Sequence, residues 1–443
     1  MLGSPAELSV GFGSERGLKA KGGRRKFPRS DYWGLGGHIS AAGVVSSPPR
    51  ATACESVVSN NYAEIDAAYF NSYTHVGVHE EMIKDRVRTE TYRNAIFQHA
   101  NFIKDKVVVD VGCGTGILSI FCAYAGARKV YAVDASEIAI QAREVVKANG
   151  LSETIIVLLG RIEEVEIGEE VDVIISEWMG YMLLYESMLS SVIYARDRWL
   201  KPGGIILPSH ATLYLAPVTN AERYAESIDF WRNVYGIDMS AMLPLAKQCS
   251  FEEPCVESIT AENIMSWPVQ VYTTSTIGED IATSHHQRRS SLKHIDCSSI
   301  TVQELESVTS NFSVTSMMTG ALHGFALWFD VTFSGPTSSS SDTQSESSLE
   351  SSLSGGLCAN GMFHKSKRAK MVNQLVLSTA PEDIPTHWQQ TVLYIYDPIE
   401  VKQDEQISGS ITVSQSKENP RFLNIHLEYK CRGRCYVKET VMR

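Results

Sequence analysis

Two glutamates nine residues apart are the most chemically pointed feature of this 443-residue chain. They stand in VDVIISEWMGYMLLYES, residues 171–187: Glu177 follows the β-branched run Val171–Ile175, and Glu186 closes an aromatic and aliphatic stretch. A buried strand of an α/β sheet presents ligand-binding residues at its C-terminal end, which is where Glu177 falls. Gly180 offers a sharp turn between the two acids, so a hairpin-like loop can present both carboxylates to one point. The alternative is two unrelated, solvated glutamates. Against it, Trp178, Met179, Tyr181, Met182, Leu183, Leu184 and Tyr185 surround them, and a lone carboxylate is costly to bury. Two acids in such surroundings call for a cation.

A second constellation lies upstream. VVVDVGCGTG, residues 107–116, is a β-branched run ending in alternating glycines and followed by the helix-compatible Ile117–Ala125. A buried parallel strand feeding a helix through a tight turn has this pattern, and its glycines let backbone approach a ligand closely. Gly112 and Gly114 fit the first two glycines of the dinucleotide fingerprint, but Ile117 occupies the third, which weakens a pyrophosphate reading. A GxGxG turn preceded by an acid, here Asp110, instead resembles the nucleotide turn of S-adenosylmethionine-dependent methyltransferases. Asp134, at the end of the next β-branched run, is placed to accept hydrogen bonds from ribose hydroxyls; the alternative is an N-cap for a helix starting near Ser136. Ile155–Gly160 reads as a third strand, and Glu163 follows it where an adenine edge can be met.

The 171–187 stretch resembles the double-glutamate loop of the protein arginine methyltransferases. Three further motifs agree in order: YFNSY at 69–73, HEEMIKDRVRT at 79–89 and THW at 386–388. The likeness is greatest to the plant members of the subgroup numbered six. It runs from about Tyr69 to Arg443, two interrupting stretches excluded. The resemblance implies S-adenosyl-L-methionine as cofactor, with His79 and Arg88 near its methionine end, Gly112 beneath it, Asp134 at the ribose and Glu163 at the adenine. It implies an acceptor pocket of Glu177 and Glu186 with Tyr73, Met82, Met188 and Trp388. His387 with Asp85 is the family's proton acceptor, with bracing of the domain junction as the alternative role. The two methionines match those of family members that make mono- and asymmetric dimethylarginine. Implied partners are arginine-containing proteins such as histone tails and Gly/Arg-rich segments, and a second copy of the chain. Many relatives carry glutamate where this chain has Asp134.

Magnitudes restrict what the glutamates do. An arginine guanidinium has a pKa near 13.8, so removing its proton before transfer would cost about 9 kcal/mol at pH 7. Neighbouring anions favour the charged form and so oppose that step. They act electrostatically instead: a guanidinium and a sulfonium about 3.5 Å apart repel by roughly 5 kcal/mol at an effective dielectric of 20. Two hydrogen-bonded carboxylates offset a repulsion of that size and fix the guanidinium plane.

The elements that must position these groups are those of an α/β unit followed by a β unit. A Gly/Ser/Arg-rich tail (1–60) reads as disordered, with a transit peptide as the alternative. Residues 61–206 alternate helix and strand patterns, the mark of an α/β unit with a parallel sheet, which the resemblance identifies as a Rossmann-like class I methyltransferase domain. Residues 207–443 carry many short β runs, which read as an antiparallel barrel or sandwich; the resemblance implies a barrel with a helical dimerisation arm at about 220–247. Two loops are expected, at 269–292 and at 334–372. The second holds a serine-rich stretch and a basic cluster (364–370), which reads as a nuclear address or a solvated charge run; nucleus or cytoplasm is the expected location.

Composition excludes other classes. Net charge is −11, yet the first 50 residues hold eight basic side chains against three acidic, so the remainder carries −16. An acidic body lacks the basic footprint of a nucleic-acid binder and suits a basic partner. The nine cysteines form neither a disulfide framework nor a zinc set, and His285 and His286 lack further ligands, so no metal is expected. No run is long and apolar enough for a membrane span. A methyltransferase for small molecules or nucleic acid, and a catalytically silent scaffold, are the competing readings.

Overall fold

A computed structural model of the chain describes residues 65–271, 294–335 and 375–443. The tail to residue 60, His285 and His286, and the 364–370 cluster lie outside the described residues.

Five strands form one parallel sheet: β1 (Val107–Val111), β2 (Lys129–Asp134), β3 (Ile155–Leu159), β4 (Val171–Ile175) and β5 (Leu200–Leu207), in the order β3-β2-β1-β4-β5. β1 is buried along its whole length, as a strand covered on both faces requires. The helices in chain order are α1 (65–72), α2 (Val76–Lys84), α3 (Arg86–Gln98), α4 (Ala100–Ile103), α5 (Ile117–Tyr124), α6 (Ile138–Ala148) and α7 (Leu189–Trp199). Strand order reverses between β1 and β4. Ligands of open α/β sheets bind at that crevice, and the glycine turn and Glu177 flank it.

The β half begins with β6 (His210–Val218), and two short helices follow, α8 (Ala221–Ser227) and α9 (Leu243–Phe251). Next come β7 (Cys255–Glu257), β8 (Val269–Val271), β9 (Ile295–Asp296), β10 (Ser307–Thr315), β11 (Gly320–Phe333) and β12 (Leu375–Ser378). The last strands are β13 (Gln390–Val401), β14 (Gln406–Gln415), β15 (Leu423–Cys431) and β16 (Arg434–Met442). Among the described residues the expected barrel takes the form of two antiparallel sheets, β7-β13-β11-β6-β8 and β10-β14-β15-β16. Rings join them across the interior: Phe325 of β11 lies 5.7 Å from Phe312 of β10 and 5.1 Å from Tyr429 of β15. β10 alternates buried and exposed residues throughout, the period-2 signature of a sheet with one wet face.

Two boundaries differ from expectation. The loop placed at 269–292 starts too early, because Val269–Val271 is β8, paired with Leu213–Leu215 of β6. A three-residue strand has no periodicity of its own, so only its partner reveals it. The segment expected as a helical arm at about 220–247 holds two short helices, α8 and α9, and the second runs on to Phe251. Its second helix is tied to β16, where Lys438 Nζ donates to Phe251 O (2.7 Å) and Thr440 Oγ1 to Glu252 O (2.6 Å).

Candidate active site

β1 runs into a turn in which Gly112, Gly114 and Gly116 all take positive φ (73°, 54° and 85°), which costs little without a Cβ. Space also matters here. A Cβ on Gly112 would lie 2.2 Å from Met188 Cε, and one on Gly114 would lie 3.1 Å from His79 Nδ1, so Met188 and His79 cover the turn. His79 is buried and its Nε2 is hydrogen-bonded to Tyr73 O at 2.7 Å.

Asp134 accepts from Gly114 N (2.8 Å) with Oδ2 and from Ser136 N (2.8 Å) and Oγ (2.7 Å) with Oδ1. The next helix starts only at Ile138, with no side chain capping it, so Asp134 is not its N-cap. It ties the tip of β2 to the glycine turn and keeps about one of its four lone-pair positions for a further donor. Asp110 is wholly buried. Its Oδ2 accepts from Ser119 Oγ (2.6 Å), while Oδ1 has no partner among the described residues. Burial pushes its carboxyl up, Ser119 pulls it down and the Asp134 charge raises it again, leaving it at about 7. Glu163 is exposed and accepts from Ser191 Oγ (2.7 Å). A cradle that a Cβ would fill, an unpartnered buried oxygen and an acid with a spare lone pair at the tip of β2 fit a nucleotide-bearing cofactor.

β4 delivers Glu177 as expected. Ser176 is fixed on both sides, its Oγ donating to Val111 O (2.7 Å) and its carbonyl accepting from Tyr92 Oη (3.0 Å). Both Nε and Nη2 of Arg88 lie 2.9 Å from Glu177 Oε2, and both side chains are 7% exposed. The cation compensating Glu177 is therefore Arg88, a residue the resemblance assigns to the cofactor. Glu177 Oε1 is buried without a partner among the described residues.

The loop then doubles back. Gly180 and Leu183 exchange backbone hydrogen bonds (3.1 and 3.0 Å), and a Cβ on Gly180 would stand 2.0 Å from Tyr185 O. Gly180 is needed for this close approach, not for its φ. Positive φ falls instead on Met182, Leu183, Glu186 and Ser187 (52°, 70°, 74° and 55°), a conformation that non-glycine residues adopt only when surroundings impose it. Glu186 thereby returns beneath α1 and the turn after it. Its Oε2 accepts from Tyr69 Oη (2.9 Å) and Tyr73 Oη (2.6 Å). Burial pushes its carboxyl up, the two tyrosines hold it down, and Glu177 lies near enough for its charge to raise it further. Burial and the Glu186 charge push both phenols well above their ordinary range, so they remain donors.

His387 and Asp85 meet across the two halves. Asp85 Oδ2 accepts from His387 Nδ1 (2.7 Å) and N (2.9 Å), while Oδ1 caps α3 by accepting from Arg88 N (3.0 Å). Burial works to raise the Asp85 carboxyl, but these hydrogen bonds outweigh it and hold it below the usual range. Trp388 departs from expectation. It is 4% exposed, its indole N–H donates to Met179 O (2.8 Å) and its ring packs on Phe329 (5.4 Å). It braces the glutamate loop from the core rather than lining a pocket, because an indole N–H buried here needs the carbonyl that the loop supplies. Met82 sits at the other side, half-buried, its carbonyl accepting from Arg88 Nη1 (3.4 Å) and Thr89 Oγ1 (3.3 Å).

Sequence reasoning missed Tyr69 and Arg421 as site residues. The first had a signal, since Tyr69 and Tyr73 at i, i+4 share one helical face. Arg421 had none. It lies in a hairpin loop far along the chain, and its carbonyl accepts from Glu186 N at 2.9 Å.

The chain is 62% identical over 409 residues to "Probable protein arginine N-methyltransferase 6" of Arabidopsis thaliana, covering 92% of this chain and 86% of that protein. This chain belongs to the protein arginine N-methyltransferase family. Other arginine methyltransferases match as well: Probable protein arginine N-methyltransferase 6.2 of Oryza sativa subsp. indica is 56% identical over 86% of this chain and 89% of its own. The family model described as "Arginine methyltransferase oligomerization subdomain" matches residues 209–351 and 341–434. The model of "Ribosomal protein L11 methyltransferase (PrmA)" matches 94–209. Among solved structures, the Trypanosoma brucei PRMT1 enzyme-prozyme heterotetrameric complex with AdoHcy aligns at 34% identity with a TM-score of 0.67. It covers 84% of this chain and 100% of that one. This methyltransferase is thus an enzyme of the S-adenosylmethionine-dependent class.

Proposed function

We propose that the protein methylates arginine side chains of proteins, with Glu177 and Glu186 seizing and orienting the acceptor guanidinium. The observation that carries this reading is the buried Glu177 Oε1, without a partner among the described residues, beside a second carboxylate on the same loop. A buried charged oxygen without a donor costs about 1–3 kcal/mol or more, and a guanidinium N–H removes that cost. S-adenosylmethionine supplies an electrophilic methyl group on a sulfonium.

Arg88 holds Glu177 by Nε and Nη2, and its remaining N–H groups, with His79, are suited to the cofactor's carboxylate. Tyr69 and Tyr73 donate to Glu186 and aim it, offsetting part of the upward push of burial on its carboxyl. Together the two acids present a planar acceptor with a planar fork of oxygens, which fixes which nitrogen is offered. Because Asp85 is held ionised on the Nδ1 side of His387, the imidazole carries its proton there and leaves Nε2 as proton acceptor. The proton leaves during or after transfer.

The finer assignments follow from the same residues. Met82 and Met188 beside the pocket match a product series ending in asymmetric dimethylarginine. The acidic body favours basic substrates such as histone tails and Gly/Arg-rich segments. Nucleus or cytoplasm is the location proposed with them. A second copy of the chain is the partner proposed for the arm, whose tip exposes Phe230, Tyr235 and Ile237. Mass spectrometry of methylarginines after incubation with histones and glycine–arginine peptides tests all but the last two. Expected are mono- and asymmetric dimethylarginine, both lost in Glu177→Gln and in Glu186→Gln, with cofactor affinity unchanged within about threefold. Full activity in either variant overturns the two-carboxylate account.

A further inference from the structure

Four residues of one loop with positive φ and no glycine among them need an external mould, and the second sheet provides one. Residues 416–422 join β14 to β15 in a loop that is rigid by its own hydrogen bonds. Ser416 N donates to Phe422 O (2.9 Å), Phe422 N to Asn419 O (2.9 Å) and Arg421 N to Asn419 Oδ1 (3.0 Å), and Asn419 is buried. The loop grips the glutamate loop at its most strained point. Arg421 O accepts from Glu186 N (2.9 Å) and Arg421 Nη1 donates to Glu186 O (3.0 Å), so one residue holds both backbone groups of Glu186. Next door, Ser187 Oγ donates to Pro420 O (2.5 Å) and accepts from Gln415 Nε2 (3.1 Å).

The same guanidinium reaches α1. Arg421 Nε donates to Asp66 Oδ1 (2.9 Å), and its plane lies over Tyr69 with the guanidinium carbon 3.7 Å from the ring centroid. Asp66 is shared, since its Oδ2 pairs with Arg161 Nη1 (2.9 Å) from the loop after β3. One arginine from the β half and one from the α/β half thus clip the helix that carries Tyr69. A planar side chain that stacks and donates at fixed angles suits this task, and lysine does not reproduce it.

We propose that Arg421 is a positioning residue of the acceptor pocket: it moulds the Glu186 backbone from the β half and draws α1 with Tyr69 over it. The proposal rests on the arginine-methylation reading and deepens it. It makes the acceptor half of the site dependent on a residue that contacts neither the glycine turn nor the reacting groups.

The test uses the full chain and the variants Arg421→Ala, Arg421→Lys and Asp66→Asn, with a glycine–arginine peptide as substrate. Arg421→Ala is expected to lower kcat about 100-fold. Cofactor affinity, by titration calorimetry, stays within about threefold. Arg421→Lys recovers little, and Asp66→Asn, which keeps the grip on Glu186, loses about tenfold. Loss of the neighbouring guanidinium also moves the acid limb of the kcat/KM profile to higher pH. Hydrogen exchange without cofactor is expected to quicken in residues 65–73 and 180–188 of Arg421→Ala and not in β1 or β2. Unchanged kcat and exchange in Arg421→Ala overturn the proposal, as does an equal fall in cofactor affinity. If Arg421→Ala does not fold, Arg421→Lys and Asp66→Asn decide: wild-type kcat and exchange in both overturn it. An inactive wild-type chain instead overturns the underlying reading and leaves the exchange pattern to judge Arg421.

Discussion

The glycine turn and the glutamate loop lie at neighbouring strand ends and are held in opposite ways. The turn puts its positive φ on Gly112, Gly114 and Gly116, where it is nearly free, and is closed locally by the Asp134 carboxylate. The loop puts positive φ on Met182, Leu183, Glu186 and Ser187, at about 1–3 kcal/mol each, and is held from outside. Trp388 binds Met179 O, Arg421 binds both backbone groups of Glu186, and the tyrosines of the first segment bind its carboxylate. On the proposed reading, a cofactor that is the same in every turnover is met by a self-sufficient turn, and the variable acceptor by a pocket that exists only when three separate parts of the chain are assembled.

The largest expected effect separates the two regions outright. Glu186→Gln should lower kcat/KM for a peptide by about 10³-fold, while calorimetric cofactor affinity holds within about threefold. A parallel fall of both would merge the two regions into one.

Next is a pH effect confined to the turn. The Asp110 carboxyl stands at about 7 in the folded protein and near 3.8 when unfolded, so between these values only the folded chain binds the proton. Stability of the cofactor-free protein should therefore fall as pH rises from about 4 to 7, by up to about 4 kcal/mol, and level off above. Asp110→Asn should flatten that slope in urea denaturation across this range. An unchanged slope would show that Asp110 is not the group responsible.

Paired glycine variants sharpen the contrast. Gly180→Ala drives a Cβ to within 2.0 Å of a backbone oxygen that cannot yield without moving the loop, and should lower kcat/KM by about 10²-fold with cofactor binding intact. Gly112→Ala meets only the movable end of Met188, so its backbone strain should cost about 1 kcal/mol, with cofactor affinity falling about tenfold. Thermal unfolding and cofactor titration of both distinguish them; the reverse pattern would break the comparison.

Much of the molecule was legible because its signals are local. The strands β1 and β4 announce themselves as continuous aliphatic runs, and the glycine turn as glycines at fixed spacing. Trp388 was misplaced because a motif says that an indole is needed and not which way it faces. β8 was missed because three residues owe their strand state to β6.

By itself the amino-acid order determined the two-part architecture, the glycine turn with its acids and the two glutamates of the acceptor loop. Their shared property is short range: each depends on side-chain period or backbone freedom within about a dozen residues. The tertiary structure alone decided that Glu177 is paired with Arg88, that Glu186 is roofed by Tyr69 and Tyr73, and that Arg421 holds the loop more than 200 residues away in sequence (|i−j| of 235). Long-range hydrogen bonds and the strain they sustain leave no periodic trace in a sequence, since their partners meet only after the sheets have packed.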